Sequence, residues 1–212
     1  TSLGASSLAD LSTLSSAIDN DQFTNDDTIA AIVVADSGQN ATIDAGELTT
    51  QIDNFEGHKQ ADNVVAFTFE LGTDTIDIDT SNELTALLAD IASNNLQLTN
   101  QNIVVTPAPN GVAHKISVLN ANKLAADTGG TVTATIATDE NVDSLKTLRN
   151  PSANGQGGGN ADSNAYTIVI GNGNGDTTGS TAEEFNTINA ATTVAVDAAT
   201  VTALATSAVT AV

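Results

Sequence analysis

Apolar positions change their spacing along this chain, and each change predicts a different element. Near the start, Leu8, Leu11, Leu14 and Ile18 recur at helical intervals behind Ser6 and Ser7, a pair able to cap a helix. An Asp/Asn-rich stretch over 19–27 leads into the apolar run from Ile29 to Val34, and Leu48, Ile52 and Phe55 predict another short helix. From Val65 the pattern becomes alternation: Val65, Phe67 and Phe69 share one side of an extended segment, and Ile76 and Ile78 do the same in Thr75-Ile-Asp-Ile-Asp79. Leu84, Leu87, Leu88 and Ile91 then fall on one helical stripe. Ile103-Val-Val105 and Ile116-Ser-Val118 read as strands either side of the turn 107–111, and 120–126 as one helical turn before Gly129-Gly130.

The C-terminal part states one unit three times. A short alternating strand leads into an Asp/Thr/Ser/Glu turn and then an apolar helical pattern. The strands are Thr131 to Ile136, Tyr166 to Ile170 and Thr193 to Val196. They are followed respectively by Val142, Leu145 and Leu148, by Phe185 and Ile188, and by Val201 and Leu204. Two Gly/Asn-rich insertions, 150–164 and 171–179, stretch the spacing; without them strand ends recur about every 18 residues. A unit of that size cannot bury its apolar face alone and has to stack on its neighbours. Strands joined through helices are expected to run parallel. The organisation this predicts is a helical, Asp/Asn-rich region over 1–60 and a strand–helix repeat domain over 61–212. The fold class is α/β: a solenoid-like stack of strand-plus-short-helix repeats with a more helical N-terminal region. An all-β sandwich with short helices in its connections is the alternative.

Composition narrows the core. Of 212 residues, 40% are hydrophobic but only 3% aromatic, with no Trp and a single Tyr, Tyr166. Small aliphatic side chains suit thin, repeated layers. Twenty-six acidic residues face five basic ones, a formal net charge of -21. The five, Lys59, Lys115, Lys123, Lys146 and Arg149, form no cluster in sequence, which argues against nucleic acid and anionic membrane as partners. Self-repulsion at this charge makes divalent cations a natural remedy, with solubility at high salt as the other use of such acidity. There is no Cys and no Met, and no signal-peptide, transmembrane or lipidation pattern. A chain beginning Thr1-Ser2-Leu3 is expected to be processed or a segment of something longer. Thr/Asn/Gly/Ala richness without Cys points to an exported bacterial surface protein.

At Val118-Leu-Asn-Ala-Asn-Lys-Leu-Ala-Ala-Asp-Thr-Gly-Gly-Thr-Val-Thr-Ala-Thr-Ile136 the chain resembles tandem repeats of very large, Ala/Thr/Asp-rich cyanobacterial cell-surface proteins, some described as hemolysin-type calcium-binding or surface-layer-like. Asn164 to Ile170 and Phe185 to Leu204 carry the same likeness, which spans about residues 116–212. It implies a secreted repeat protein and no reaction.

Candidate chemistry is sparse. Asp36-Ser-Gly-Gln-Asn-Ala-Thr-Ile-Asp-Ala-Gly-Glu47 can be laid on an EF-hand loop, making Asp36, Asn40, Thr42, Asp44 and Glu47 candidate calcium ligands. A hard cation needs oxygens converging from a tight loop closed by a bidentate Glu. Gly38 at the third position and Ala41 at the sixth depart from that pattern. The competing reading is a strand over 41–43 followed by a helix capped by Asp44, with Glu47 at the capping-box position. Asp74, Asp77, Asp79 and Glu83 offer a second acidic group, as a cation site or as a solvated face with Asp79 capping a helix. Gly171-Asn-Gly-Asn-Gly-Asp176 lacks the spacing of a phosphate-binding loop and fits a calcium nonapeptide only at Gly171 and Asp176, which leaves a plain loop. His58 and His114 each precede a Lys and read as exposed loop, and no nucleophile–base motif accompanies them. Asn40-Ala-Thr42 is the single glycosylation sequon. The function expected is a structural, non-enzymatic subunit or segment of an extracellular assembly (surface layer, filament or large adhesin), self-associating into a polymer or lattice with calcium's assistance. A recognition module of an adhesin or phage fibre, binding surface glycans, is the alternative.

Overall fold

The computed structural model describes residues 2–5, 10, 13–14, 16, 31–34, 42–61, 69–71, 75–106, 114–149, 164–171 and 180–201. Short strands, singly or in runs of two or three, are interspersed with helices. The strands are β1 (Ser2–Ala5), β2 (Ala31–Val34), β3 (Thr42–Asp44), β4 (Phe69–Leu71), β5 (Thr75–Ile78), β6 (Leu96–Gln97), β7 (Asn102–Val105), β8 (Lys115–Ile116), β9 (Val132–Ile136) and β10 (Ala165–Thr167). The helices are α1 (Ala45–Ala61), α2 (Ser81–Ala92), α3 (Val118–Asp127), α4 (Val142–Leu145) and α5 (Ala182–Ala190). The class is therefore mixed α/β, and the all-β sandwich is overturned by the helices that follow β3, β5, β8 and β9.

Every strand pairing is parallel. One sheet has the order β1-β2-β4-β6, and the other β10-β9-β7-β5-β3 with β8 also on β9; both are open and neither closes into a barrel. In the larger sheet Thr42 pairs with Thr75, Thr75 with Asn102, Ile103 with Val132 and Thr133 with Ala165, steps of 33, 27, 29 and 32 residues. A bridge from Val169 to Asp197 adds a step of 28. In the smaller sheet the steps from Ser2 to Ala31, Ile32 to Phe69 and Phe69 to Leu96 are 29, 37 and 27. The interval is thus longer than the rung of about 18 residues that the strand ends suggest. The step from Thr75 to Asn102 holds α2 and β6, and that from Ile103 to Val132 holds β8 and α3; the Gly/Asn-rich stretches fall only in the steps from Thr133 to Ala165 and from Val169 to Asp197. Only β8 on β9, with Ile116 opposite Ile136, steps by a near-match of 20. The pairing also runs through the first hundred residues and across residue 60.

The step places like beside like. Ile43, Ile76, Ile103 and Val132 are successive register partners, and all are buried. Ile78 stands beside Val105, and Ala134 beside Tyr166, in a parallel buried column. Leu48, Ile52 and Phe55 of α1 and Leu84 and Leu87 of α2 close over these columns. Each fully buried Ile or Leu contributes roughly 1.5–3 kcal/mol of transfer free energy, so the columns carry much of the stability.

Polar side chains link neighbouring turns of chain at a similar interval. Asn102 Oδ1 accepts from the Thr131 N–H at 3.0 Å, and Asn164 Oδ1 from the Val132 N–H at 3.1 Å. The Asn122 amide donates to the Thr147 carbonyl at 2.8 Å and its oxygen accepts from the Arg149 N–H at 2.8 Å. Thr192 Oγ1 accepts from the Tyr166 N–H and donates to the Tyr166 carbonyl, each at 2.8 Å. Such bonds satisfy backbone groups that short strands leave unpaired. Gly130 lies so close under Gln101 that an added Cβ would collide with that residue's carbonyl.

Candidate functional site

The acidic residues singled out from sequence gather where β3 and β5 end and their helices begin. Asp44, the last residue of β3, is the register partner of Asp77 in β5, so two carboxylates sit side by side on adjacent parallel strands. Asp44 Oδ1 accepts the Glu47 N–H at 2.8 Å, which satisfies a free amide at the start of α1. That is the capping arrangement weighed against the calcium loop. Thr42 begins β3 opposite Thr75, and Thr42, Asp44 and Glu47 are all exposed. Asp36 and Asn40 lie outside the described residues, so the five-ligand loop cannot be traced as a whole.

One turn on, Thr80 caps α2 rather than Asp79. Thr80 has extended backbone, its Oγ1 accepts the Glu83 N–H at 3.2 Å, and Glu83 Oε2 accepts the N–H groups of Asp79 and Thr80 at 2.7 and 3.3 Å. The correction has a physical cause: Asp79 supplies an N–H to the capping box, while Thr80 holds the geometry in which a side chain reaches the third amide. Asp77 accepts a hydrogen bond from Thr106 Oγ1. Asp44 Oδ1 and Glu83 Cγ both crowd Gly46, where an added Cβ would meet each at 3.2 Å. Partial burial, with the carboxylates of Asp77, Glu83 and Asp44, pushes the Asp79 carboxyl up; the His114 ring acts the other way. Asp74 and Asp176 lie outside the described residues.

One of the two histidines leaves the loop that its sequence context suggests; the other, His114, stays in a loop but is half-buried. His58 lies in α1 rather than a loop. His114 precedes β8, with Nε2 2.8 Å from Ser81 Oγ at the start of α2. This pairing brings a hydroxyl and an imidazole within proton-transfer distance. The buried Nδ1, where an orienting acid stands in a hydrolytic triad, has no hydrogen-bond partner among the described residues. The two residues are 33 apart in sequence and are brought together by the fold.

The other charged features join elements. Lys146 Nζ lies 2.6 Å from Glu184 Oε1 and 2.8 Å from Asp143 Oδ1. Glu184 meanwhile completes a capping box with Thr181 at the start of α5. Glu140 accepts the Val118 N–H at 2.9 Å and the Ser144 hydroxyl at 2.5 Å, tying the start of α3 to α4. Gly171, the one described residue of the Gly/Asn loop, has φ of 102°, where L side chains are strained, and packs against Thr200.

Among the described residues, no group of three or more His, Asp or Glu is arranged to hold a metal ion. Among them also, no helix is long and apolar enough to cross a membrane. Comparison of the chain with protein-family models, with curated proteins and with solved structures finds no match.

Proposed function

We propose that this chain is a structural, non-enzymatic segment of an extracellular or cell-surface assembly, built as a solenoid-like stack whose work is self-association. The observation that carries this reading is the repeated parallel step. From Thr42 to Ala165 five strands of the larger sheet, β3, β5, β7, β9 and β10, lie side by side at intervals of 27 to 33 residues, in chain order and without reversal, with β8 alone off this path. Such a sheet has no built-in end: strand addition at either edge satisfies the same backbone groups as the pairing within. Residue chemistry supports the reading, since most of the acids whose bonds are described serve as caps and inter-turn ties. The likeness of residues 116–212 to cyanobacterial surface repeats points the same way.

Calcium is proposed as an aid to assembly, with Asp36, Asn40, Thr42, Asp44 and Glu47 as its loop and the carboxylates of Asp77, Asp79 and Glu83 nearby. A chain of net charge -21 needs counter-charge before copies can approach closely. Size-exclusion chromatography with light scattering, and negative-stain microscopy, in calcium and then in chelator test both ideas. The expected result is a polymer or lattice with calcium that shrinks when calcium is removed. A monomer in both buffers, with unchanged melting, sinks the assembly and the calcium together.

A further inference from the structure

Helices α1 and α2 lie side by side, and one acid is buried at their contact. The stripe of α2 that buries Leu84 and Leu87 also buries Asp90, which is only 7% exposed. Its backbone carbonyl accepts the Asn95 N–H at 2.9 Å and the Ser93 hydroxyl at 3.1 Å, so the end of α2 folds back over it. Its carboxyl oxygen Oδ2 has no hydrogen-bond partner among the described residues. From α1, Asp53 and Glu56 face it, one helical turn apart, and the Glu56 carboxylate already takes the Asn95 amide.

Among the described residues, the remaining elements against α2 offer no counter-charge. The charged residues of α3, Lys123 and Asp127, are exposed. β5 carries Asp77, bonded to Thr106, and β6 carries none. On α2 itself the other acid, Glu83, is occupied at the opposite end in the capping box. An ionised Asp90 would therefore be a buried charge facing two like charges, with one oxygen unsatisfied. A buried charge in that position costs far more than a neutral acid.

We propose that Asp90 is a proton-operated latch between α1 and α2: protonated, it lets the helices close; ionised, its carboxylate and those of Asp53 and Glu56 part them. Burial first, then Asp53 and Glu56, pushes the Asp90 carboxyl up to about 7, which sets the latch near neutrality. The folded state holds this proton more tightly than the unfolded chain. The latch thus adds stability as pH falls from neutrality towards the ordinary carboxylate range, and withdraws it as pH rises through about 7. That is the opposite sense to Glu184 at the start of α5, whose carboxyl is held down.

The test is the melting temperature of the full chain and of Asp90→Asn, in chelator, between about pH 5 and pH 8. The amide keeps the shape and removes the charge. Asp90→Asn is expected to melt a few degrees above the wild type at the alkaline end, with the two curves converging on the acid side. General relief of net charge moves both curves alike and leaves their difference untouched. Parallel curves, or a variant that melts lower at alkaline pH, overturn the latch. Two readouts on the wild-type chain hold if the variant does not fold. Carboxyl-labelled Asp should show one group titrating near neutrality, and amide exchange in α1 and α2, corrected for its intrinsic pH dependence, should speed up above it. A midpoint for Asp90 in the ordinary carboxylate range overturns the proposal, as does an alkaline gap between the two chains that calcium alone opens and closes.

Discussion

Tyr166 shows how much one side chain carries in a chain nearly without aromatics. It is fully buried in the column beside Ala134, and burial, against a lesser pull from Arg149, pushes its phenol well above the usual range. Its hydroxyl reaches the Ala121 carbonyl only at 3.5 Å, at the limit of a hydrogen bond. Tyr166→Phe is therefore expected to cost less than about 1 kcal/mol, whereas Tyr166→Ala leaves a cavity costing about 3–5 kcal/mol. Denaturant unfolding distinguishes the two; equal losses would show that the hydroxyl, not the ring, matters. Because Tyr166 is the only Tyr and there is no Trp, its absorbance in the wild type reports this column alone. Asn164, also buried, immediately precedes the same strand. Asn164→Ala strands the Val132 N–H, which Asn164 Oδ1 now holds at 3.1 Å, at an expected cost of about 1–3 kcal/mol.

At the scale of elements, the pair Lys146–Glu184 joins the end of α4 to the first turn of α5. The bond to Lys146 first, then that to the Thr181 N–H, holds the Glu184 carboxyl below its usual range. Bonds to Asp143 and then Glu184 hold Lys146 above its own. A depressed acid contributes stability that is present above its unfolded pKa and lost as pH falls through the folded one; a raised Lys contributes until pH climbs through its folded value. Lys146→Met should therefore lower the melting temperature most between the carboxylate and ammonium ranges, and the loss should shrink in strong salt. A deficit that persists unchanged at low pH and high salt would assign it to the lysine stem's packing instead. Elements of this kind were legible where one contiguous segment carries the whole signal. Leu84, Leu87, Leu88 and Ile91 predict α2, and the spacing from Asp44 to Glu47 predicts the cap of α1, because helical neighbours are three or four residues apart. Adjacent capable residues blur the boundary: Thr80 rather than Asp79 caps α2, and Ser117 starts a helix at Val118, where alternation predicts a strand end. β1, Ser-Leu-Gly-Ala, carries no strand pattern and exists through its parallel pairing with Ala31–Val34. The pairs Asp44–Asp77 and Ser81–His114 stand 33 residues apart, so no local spacing announces them.

In the larger sheet each described strand pairs only with the strands beside it, and that arrangement makes a claim about cooperativity. Ile76 touches the column through Ile43 on one side and Ile103 on the other, while Tyr166 belongs three strands away beyond β7 and β9. In a stack whose turns stabilise only their neighbours, damage at one turn should spread by one interface and then fade. Ile76→Ala removes a fully buried side chain and should cost about 2–5 kcal/mol locally. Native-state amide exchange then separates two outcomes. If stability is a sum of neighbouring interfaces, exchange accelerates in β3, β5 and β7 and the helices α1 and α2 over them, while β10 and α5 keep their protection. If the chain melts as one unit, protection falls by the same amount from β3 to α5. The first pattern is expected here because almost every bond between distant residues spans one step of the sheet, as in Asn102 to Thr131, Asn122 to Thr147 and Thr192 to Tyr166. None of these reaches two steps, so among the described residues little couples β5 to β10 except the strands between them. A uniform loss would mean that the smaller sheet or the helices carry stabilisation lengthwise, and the nearest-neighbour account of this fold would fail.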